Sequence, residues 1–282
     1  MKHSLHGEKN YSSSVITDIS PTSMELSTGP DVDADFLSVA YNPGQSVQAS
    51  SSMFACYLES NFNMPTIFTV CPRDMNLLAI QSTLLGASLF GLNSVIVLEG
   101  DEGKHHKNMY FPVPAKSTEV IESIKKLTKG ISFSGKSLQR HIKFSIGAVL
   151  DLQTIDEKLA ISLYNKITAG ADFIITQPIF SATEIELLHS VYFNKFREKI
   201  PIPLYYGIPV LGSGSLCFRD VPSEVMDLVS LYGNNLNYLH TLMKDCKRIG
   251  VKEFYVIPPF YSNGSRDYVL AKQFIKELRQ MF

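Results

Sequence analysis

The sequence predicts an α/β protein, a single (β/α)8 TIM barrel. Three observations lead there. Eight short apolar runs recur along the chain, longer amphipathic stretches separate most of them, and several runs are apolar on both faces, as strands inside a parallel sheet are. The chain has 282 residues. A barrel of this kind takes about 250 residues as one domain, so no second domain is needed. The expected organisation is a flexible segment over residues 1–13 and a barrel over 14–282.

The expected strands, in order, are Val15–Ile19, Phe36–Tyr41, Thr66–Val70, Ser94–Leu98, Lys143–Val149, Asp172–Thr176, Leu204–Ile208 and Glu253–Ile257. Helical stretches are expected near Val47–Ser60, Asn76–Phe90, Thr118–Thr128, Ile155–Ala169 and Ala182–Lys195. Three more follow near Ser223–Gly233, Asn235–Ile249 and Asp267–Met281. The stretch after the third strand shows the logic. Asp74 can cap a helix, Leu77, Ile80, Leu84 and Leu85 recur at helical spacing, and Gly91 falls where a left-handed residue ends it. The helix Ile155–Ala169 closes in the same way on Ala169-Gly170-Ala171.

Two segments break the alternation. Gly100–Pro114, rich in Gly, His and Lys, leaves the C-terminal end of a strand, where barrels keep their active sites. Gly130–His141 enters at the opposite face and reads as packing or decoration. A doubly wound sheet fits the same alternation, because strand order is invisible in the sequence. Such a sheet usually opens its first helix with G-x-G-x-x-G, and here only Gly212-Ser-Gly214 comes near, late and without the third glycine.

Composition narrows the function. With 45% hydrophobic residues and 19% charged ones, the chain can bury a large core, which excludes disorder for most of it. Lys and Arg number 26 against 27 Asp and Glu, a balance that argues against a nucleic-acid binder and for small ligands. Cys56, Cys71, Cys217 and Cys246 lie far apart with no C-x-x-C pair, which fits a reducing compartment. The polar start MKHSLHGEKNYSSS lacks a secretory apolar region, and no run is long enough to span a membrane. A soluble cytoplasmic protein is expected.

In a parallel barrel, the residues to weigh are the polar ones at strand C-termini. They are Asp18, Tyr41-Asn42, Cys71 to Asp74, Glu99, Asp101, Asp151, Thr176-Gln177 and Tyr205-Tyr206. Each has a plain alternative. Asp18 near Pro21 and Asp101 after Gly100 suit turns, and Asp74 suits a helix N-cap. Gln177 is harder to dismiss, because an amide directly after a buried strand must find hydrogen bonds. His105-His106 invites a metal, yet no second cluster offers zinc-like spacing, so no metal is expected. No G-x-S-x-G elbow or Walker-A pattern occurs. Lys166 lies near a helix end, where a surface role fits better than a Schiff base.

Two segments carry a resemblance. Cys71-Pro-Arg-Asp-Met-Asn76, continuing LLAIQSTLLGASLFGLNSVIVLEGD to Asp101, resembles the methylenetetrahydrofolate reductase family, with its cysteine, Arg-Asp pair, L-A-x-Q-S-D-L-L-G-A helix and strand ending in Gly-Asp. Lys166-Ile-Thr-Ala-Gly-Ala-Asp-Phe-Ile-Ile-Thr-Gln177-Pro is similar to the family's K-x-x-A-G-A-D-F-I-x-T-Q. Weaker matches at Ile16–Pro21, Phe36–Pro43, Ile146-Gly-Ala148 and Gly207-Ile-Pro209 follow in the family's order, spanning nearly the whole chain.

The resemblance implies a TIM barrel with FAD across the strand C-termini, NAD(P)H as co-substrate, and reduction of 5,10-methylenetetrahydrofolate to 5-methyltetrahydrofolate. Asp18 takes the place of the family's first-strand glutamate, the proposed acid, and Asp101 matches the aspartate facing flavin and pterin. Gln177 matches the folate-binding glutamine, with Tyr41 a second substrate-binding candidate. Gly100, Asp101, Asp74 and Lys166 are the cofactor-binding candidates. The departures cluster on the flavin. Phe68 replaces a histidine, Ala40 a threonine, and Glu99 an arginine or threonine, which puts an acid where a diphosphate should pass. Three functions follow: a reductase using FAD, one moving hydride directly from NAD(P)H, or a redox-inactive folate-binding or partner subunit. Self-association and an electron-supplying partner both stay open.

Overall fold

The computed structural model describes residues 12–22, 26–100, 115–262 and 265–282. Eight parallel strands close into one barrel in chain order, β1 pairing with β8. They are β1 (Ser14–Ile19), β2 (Phe36–Val39), β3 (Thr66–Val70), β4 (Ser94–Val97), β5 (Ser145–Leu150), β6 (Phe173–Pro178), β7 (Leu204–Pro209) and β8 (Glu253–Ile257). Closure in chain order rules out the doubly wound alternative and leaves no sheet edge exposed.

The helices are α1 (Ser51–Phe62), α2 (Leu77–Leu89), α3 (Ser117–Thr128), α4 (Glu157–Ala169), α5 (Ala182–Phe196), α6 (Ser223–Tyr232), α7 (Leu236–Arg248) and α8 (Tyr268–Met281). Their distribution is uneven. None lies between β1 and β2 among the described residues, whereas α6 and α7 both precede β8. One cap differs from expectation. Asn76, not Asp74, caps α2, its side chain accepting from the Ala79 amide at 2.9 Å. Asp74 stands two residues too early for that role and pairs with Arg73 instead. Gly91 does take a left-handed conformation after α2.

Strand alternation sorts the core into two layers. Ile16, Phe36, Ile67, Ile96, Phe173, Ile175 and Tyr205 fill the barrel interior, while alternate residues such as Val15, Leu37, Phe68 and Val97 pack under the helices. Gly147 makes room for an interior ring, since a Cβ there would sit 2.4 Å from Phe173 Cζ. Below the helices, Gln81 of α2 is buried and donates to the Ser123 hydroxyl of α3 at 2.9 Å. It also accepts from the Phe133 amide at 2.9 Å, which ties the 130–141 segment down as packing.

Candidate active site at the barrel mouth

Parity fixes which polar residues face inward at the C-terminal end. On β1, Ile16 fills the interior, so Asp18, two residues on, points into the mouth. By the same alternation Ser38 follows Phe36 on β2; on β6 Phe173 and Ile175 fill the interior, and Gln177 follows at the C-terminal end of the strand. Asp18 and Ser38 are register partners, and Tyr255 of β8 pairs with Ile16 one layer below.

Asp18 is 5% exposed. Its carboxylate meets Arg266 Nη2 at 2.6 Å and is hydrogen bonded to the Tyr255 phenol, which in turn bonds Ser38. Burial lifts the Asp18 carboxyl above its ordinary value, while Arg266 and Tyr255 pull against that rise. Arg266 comes from the short segment between β8 and α8. It bridges Phe260, which bridges Leu216 from the segment after β7. Its Nε donates to Ser20 Oγ at 2.5 Å, and its guanidinium lies over the Phe260 ring, 5.5 Å from the centroid. Phe218 also stacks on Phe260, 4.5 Å between ring centroids, and is itself exposed. Arg266, Tyr255, Phe218 and Phe260 carry no signal in the sequence as site residues. Only barrel closure brings β8 and its following segment to β1.

Across the mouth, Gln177 is half-buried, and its side chain makes no hydrogen bond to another described residue. The β6–β7 register shifts between Ile175 and Pro178. Thr176 Oγ1 holds that irregularity by accepting from the Gly207 amide at 2.9 Å and donating to the Gln177 carbonyl at 2.8 Å. Gly207 must lack a side chain there, because a Cβ would lie 2.6 Å from the Thr176 carbonyl oxygen. Tyr205 and Tyr206, expected near the mouth, both turn away from it. Tyr205 bonds Ser14 at the start of β1 (3.1 Å), and Tyr206 faces outward to His189 of α5 (2.8 Å). Tyr205 is interior but low in β7, and Tyr206, the next residue, points outward by alternation.

The other candidates gather at the ends of β2 to β5. Arg73 and Asp74 form a two-pronged pair, both contacts 2.7 Å. Tyr41 stands near them, and its phenol is pushed up by burial and by Asp74 and Cys71. Gly100 has φ +84°, and a Cβ there would lie 2.6 Å from Cys71 Sγ and 3.3 Å from Arg73 Nη1. Lys166 is not a surface lysine. It is half-buried, its ammonium donating to the Val149 carbonyl at 2.9 Å, and burial lowers its proton affinity against the pull of Glu99 and Asp151. Glu99 is itself held by the Ser117 hydroxyl at 2.5 Å. Asp101 and His105-His106 lie outside the described residues. Among the described residues no cluster could hold a metal ion.

These groups make a poor fit for a resident flavin dinucleotide. Among the described residues on this side, Arg73 is matched by Asp74 and Lys166 is flanked by Glu99 and Asp151, so a diphosphate would meet as much negative charge as positive. Phe68, at the family's histidine position, is fully buried under the helices and packs edge-on against Phe144 at 6.0 Å. It offers the mouth no polar group.

The sequence model described as methylenetetrahydrofolate reductase matches residues 25–208, more than half of the chain. The chain belongs to the methylenetetrahydrofolate reductase family. That match covers α1 to α5 and most of β7, and so includes Gln177, Lys166 and the Tyr41–Asp74 group. Asp18 and Arg266 fall on either side of it. Among solved structures, a protein from Clostridium thermocellum that binds two copies of 5-methyl-5,6,7,8-tetrahydrofolic acid shares the fold end to end. It is 13% identical, with 97% of this chain and 98% of that chain covered and a TM-score of 0.68. A 2,3-dimethylmalate lyase of the PEP mutase/isocitrate lyase superfamily aligns at 13% identity over 90% of this chain and 77% of that one, with a TM-score of 0.48. No curated protein matches the sequence.

Proposed function

We propose that the barrel mouth binds a reduced one-carbon folate and that the chain is a reductase converting 5,10-methylenetetrahydrofolate to 5-methyltetrahydrofolate with hydride from NAD(P)H. The observation that carries this reading is Asp18, a buried carboxyl facing into the mouth opposite the Gln177 amide, in a chain of this family. The folate bound by the C. thermocellum protein of the same fold supports the ligand class.

The chemistry needs one proton and one hydride. Protonation of N10 breaks its bond to the bridging methylene and leaves an iminium at N5. Hydride adding to that carbon gives the methyl group, and NAD(P)+ leaves. Asp18 is the group placed to deliver the proton, and burial raises its proton affinity toward that role. Gln177 offers both a donor and an acceptor to the pterin edge. A flavin, where bound, supplies a relay for the hydride. The poor fit described above favours direct transfer, since a co-substrate that comes and goes needs less of a built diphosphate site than a resident cofactor.

A second reading rests on the ion pair. Asp18 already held by Arg266 suits a folate-binding subunit without redox chemistry. A visible spectrum of the purified protein, before and after added FAD, and an NAD(P)H oxidation assay with methylenetetrahydrofolate separate these. Turnover without bound flavin supports direct transfer. Bound FAD with turnover restores the flavin route. Folate binding without NAD(P)H oxidation establishes the second reading.

A further inference from the structure

Arg266 is built into the mouth more firmly than an ion-pair partner requires, yet one of its nitrogens is left over. Its side chain is 5% exposed, Nη2 is on Asp18 and Nε on Ser20. Nη1 is buried with no hydrogen-bond partner, and it is the one buried side-chain polar atom in that state among the described residues. A buried guanidinium normally has every N–H satisfied, and an orphaned donor beside a candidate site calls for an acceptor that the chain does not supply.

We propose that Arg266 is a substrate-binding and positioning residue whose Nη1 takes the lactam oxygen of the bound pterin ring, weakening its hold on Asp18 so that ligand binding is coupled to proton uptake there. This rests on the folate reading above. The ring end of the ligand is the part that fits, because Arg266 and Asp18 lie below the rim at 5% and 7% side-chain exposure, where a charged tail would lose its water. The groups facing Asp18 are Arg266 before α8, Tyr255 on β8, Tyr268 on α8 and the Ser38 hydroxyl on β2. Arg266 is the cation among them. Sharing it with a ligand oxygen, while the ligand also excludes water, leaves the carboxyl less compensated and therefore readier to hold a proton. The coupling would arm Asp18 as an acid only when substrate is present.

Calorimetry of the full chain with 5-methyltetrahydrofolate, in buffers of different ionisation enthalpy, counts the protons taken up. Uptake near neutral pH is expected, with affinity falling as pH rises, by at most about tenfold per pH unit for one proton. Arg266→Gln should bind about tenfold more weakly with the uptake gone, because Asp18 is then protonated before the ligand arrives. Asp18→Asn should also abolish uptake while still binding. 6-Methyltetrahydropterin, which lacks the tail, should bind weakly yet show the same uptake. Binding without uptake in the wild type, uptake that survives in Arg266→Gln, or uptake that needs the tail would each overturn the proposal. Failure of both ligands to bind would reject the folate reading itself. Carbon-13 titration of the Asp18 carboxyl without ligand then still tests Arg266: a higher midpoint in Arg266→Gln supports its hold on Asp18, and equal midpoints reject it.

Discussion

Asp18 and Arg266 stand near opposite ends of the chain and meet at 2.6 Å inside the barrel mouth. The pair exists because β8 closes onto β1, and it puts a cation directly on the residue proposed as the acid. Breaking such a buried pair by removing one partner costs about 3–5 kcal/mol, because the survivor is left as an uncompensated charge. Asp18→Asn should therefore abolish folate reduction and also lower stability, with the far-ultraviolet circular dichroism of the folded protein unchanged. Restoration of stability in Asp18→Asn/Arg266→Gln, without activity, would separate the two effects. Full activity in Asp18→Asn would remove it from the mechanism.

Gln177 should contribute to the folate and not to the nicotinamide. Losing one or two hydrogen bonds to a ligand costs about 1–1.5 kcal/mol, so Gln177→Ala should weaken folate binding about tenfold. NAD(P)H binding should be nearly unchanged, as direct titration of each ligand would show. An unaltered folate affinity would sink its assigned role.

Gly207 sets the wall that Gln177 stands on. In Gly207→Ala the new methyl would press on the Thr176 and Gln177 carbonyls at 2.6 and 2.8 Å, both of them backbone and unable to swing aside. Overpacking of this kind costs about 1–3 kcal/mol. Thermal unfolding should register that loss, and folate affinity should fall with it. A variant as stable as the wild type would show that the β6–β7 irregularity is softer than its geometry implies.

Two carboxylates should give opposite pH signatures. Asp18 has a raised proton affinity in the folded state, so its contribution to stability is present below the ordinary value of 3.8 and is lost as pH rises through its higher folded value. Burial opposes ionisation of Glu99 too, but the Ser117 hydroxyl and amide and the Lys166 ammonium outweigh it and hold the carboxyl below its ordinary 4.5. Its contribution is present above 4.5 and lost as pH falls through the lower folded value. In urea unfolding across acid pH, the stability difference between wild type and Asp18→Asn should widen with falling pH, while that between wild type and Glu99→Gln should shrink. The same trend in both would contradict the assignment.

At the far end of the barrel, Arg279 of α8 offers a control. It is buried, pairs with Asp35 at 2.7 Å and donates to the Ser13 carbonyl at 2.6 Å, and Asp35 also accepts from the Val15 amide at 2.7 Å. Arg279→Ala should cost about 3–5 kcal/mol by the same reasoning as above. Folate affinity of the folded fraction should be unchanged. A selective loss of folate binding would mean that the two ends of β1 are coupled.

The sequence alone shows eight strand-like runs, eight helical stretches and, at the strand C-termini, Asp18 and Gln177 among the polar residues to weigh. Those properties are local: a period of two, apolar runs and helical spacing are written in neighbouring residues. It misplaced the α2 cap at Asp74 because Asp and Asn both suit that role, and only backbone geometry shows which of them reaches the Ala79 amide. Lys166 read as a surface residue because its neighbours in sequence are helical and polar, while the Val149 carbonyl that receives it lies on another element. Tyr205 and Tyr206 read as mouth residues in the sequence, but the first lies too low in β7 and the second faces the helices. The partners of Asp18 come from barrel closure. Arg266, Tyr255 and Ser38 come from β8, the segment after it and β2, and no spacing rule links them to β1. Their contact is a consequence of closing the sheet, which converts residues distant in the chain into neighbours sharing one buried charge.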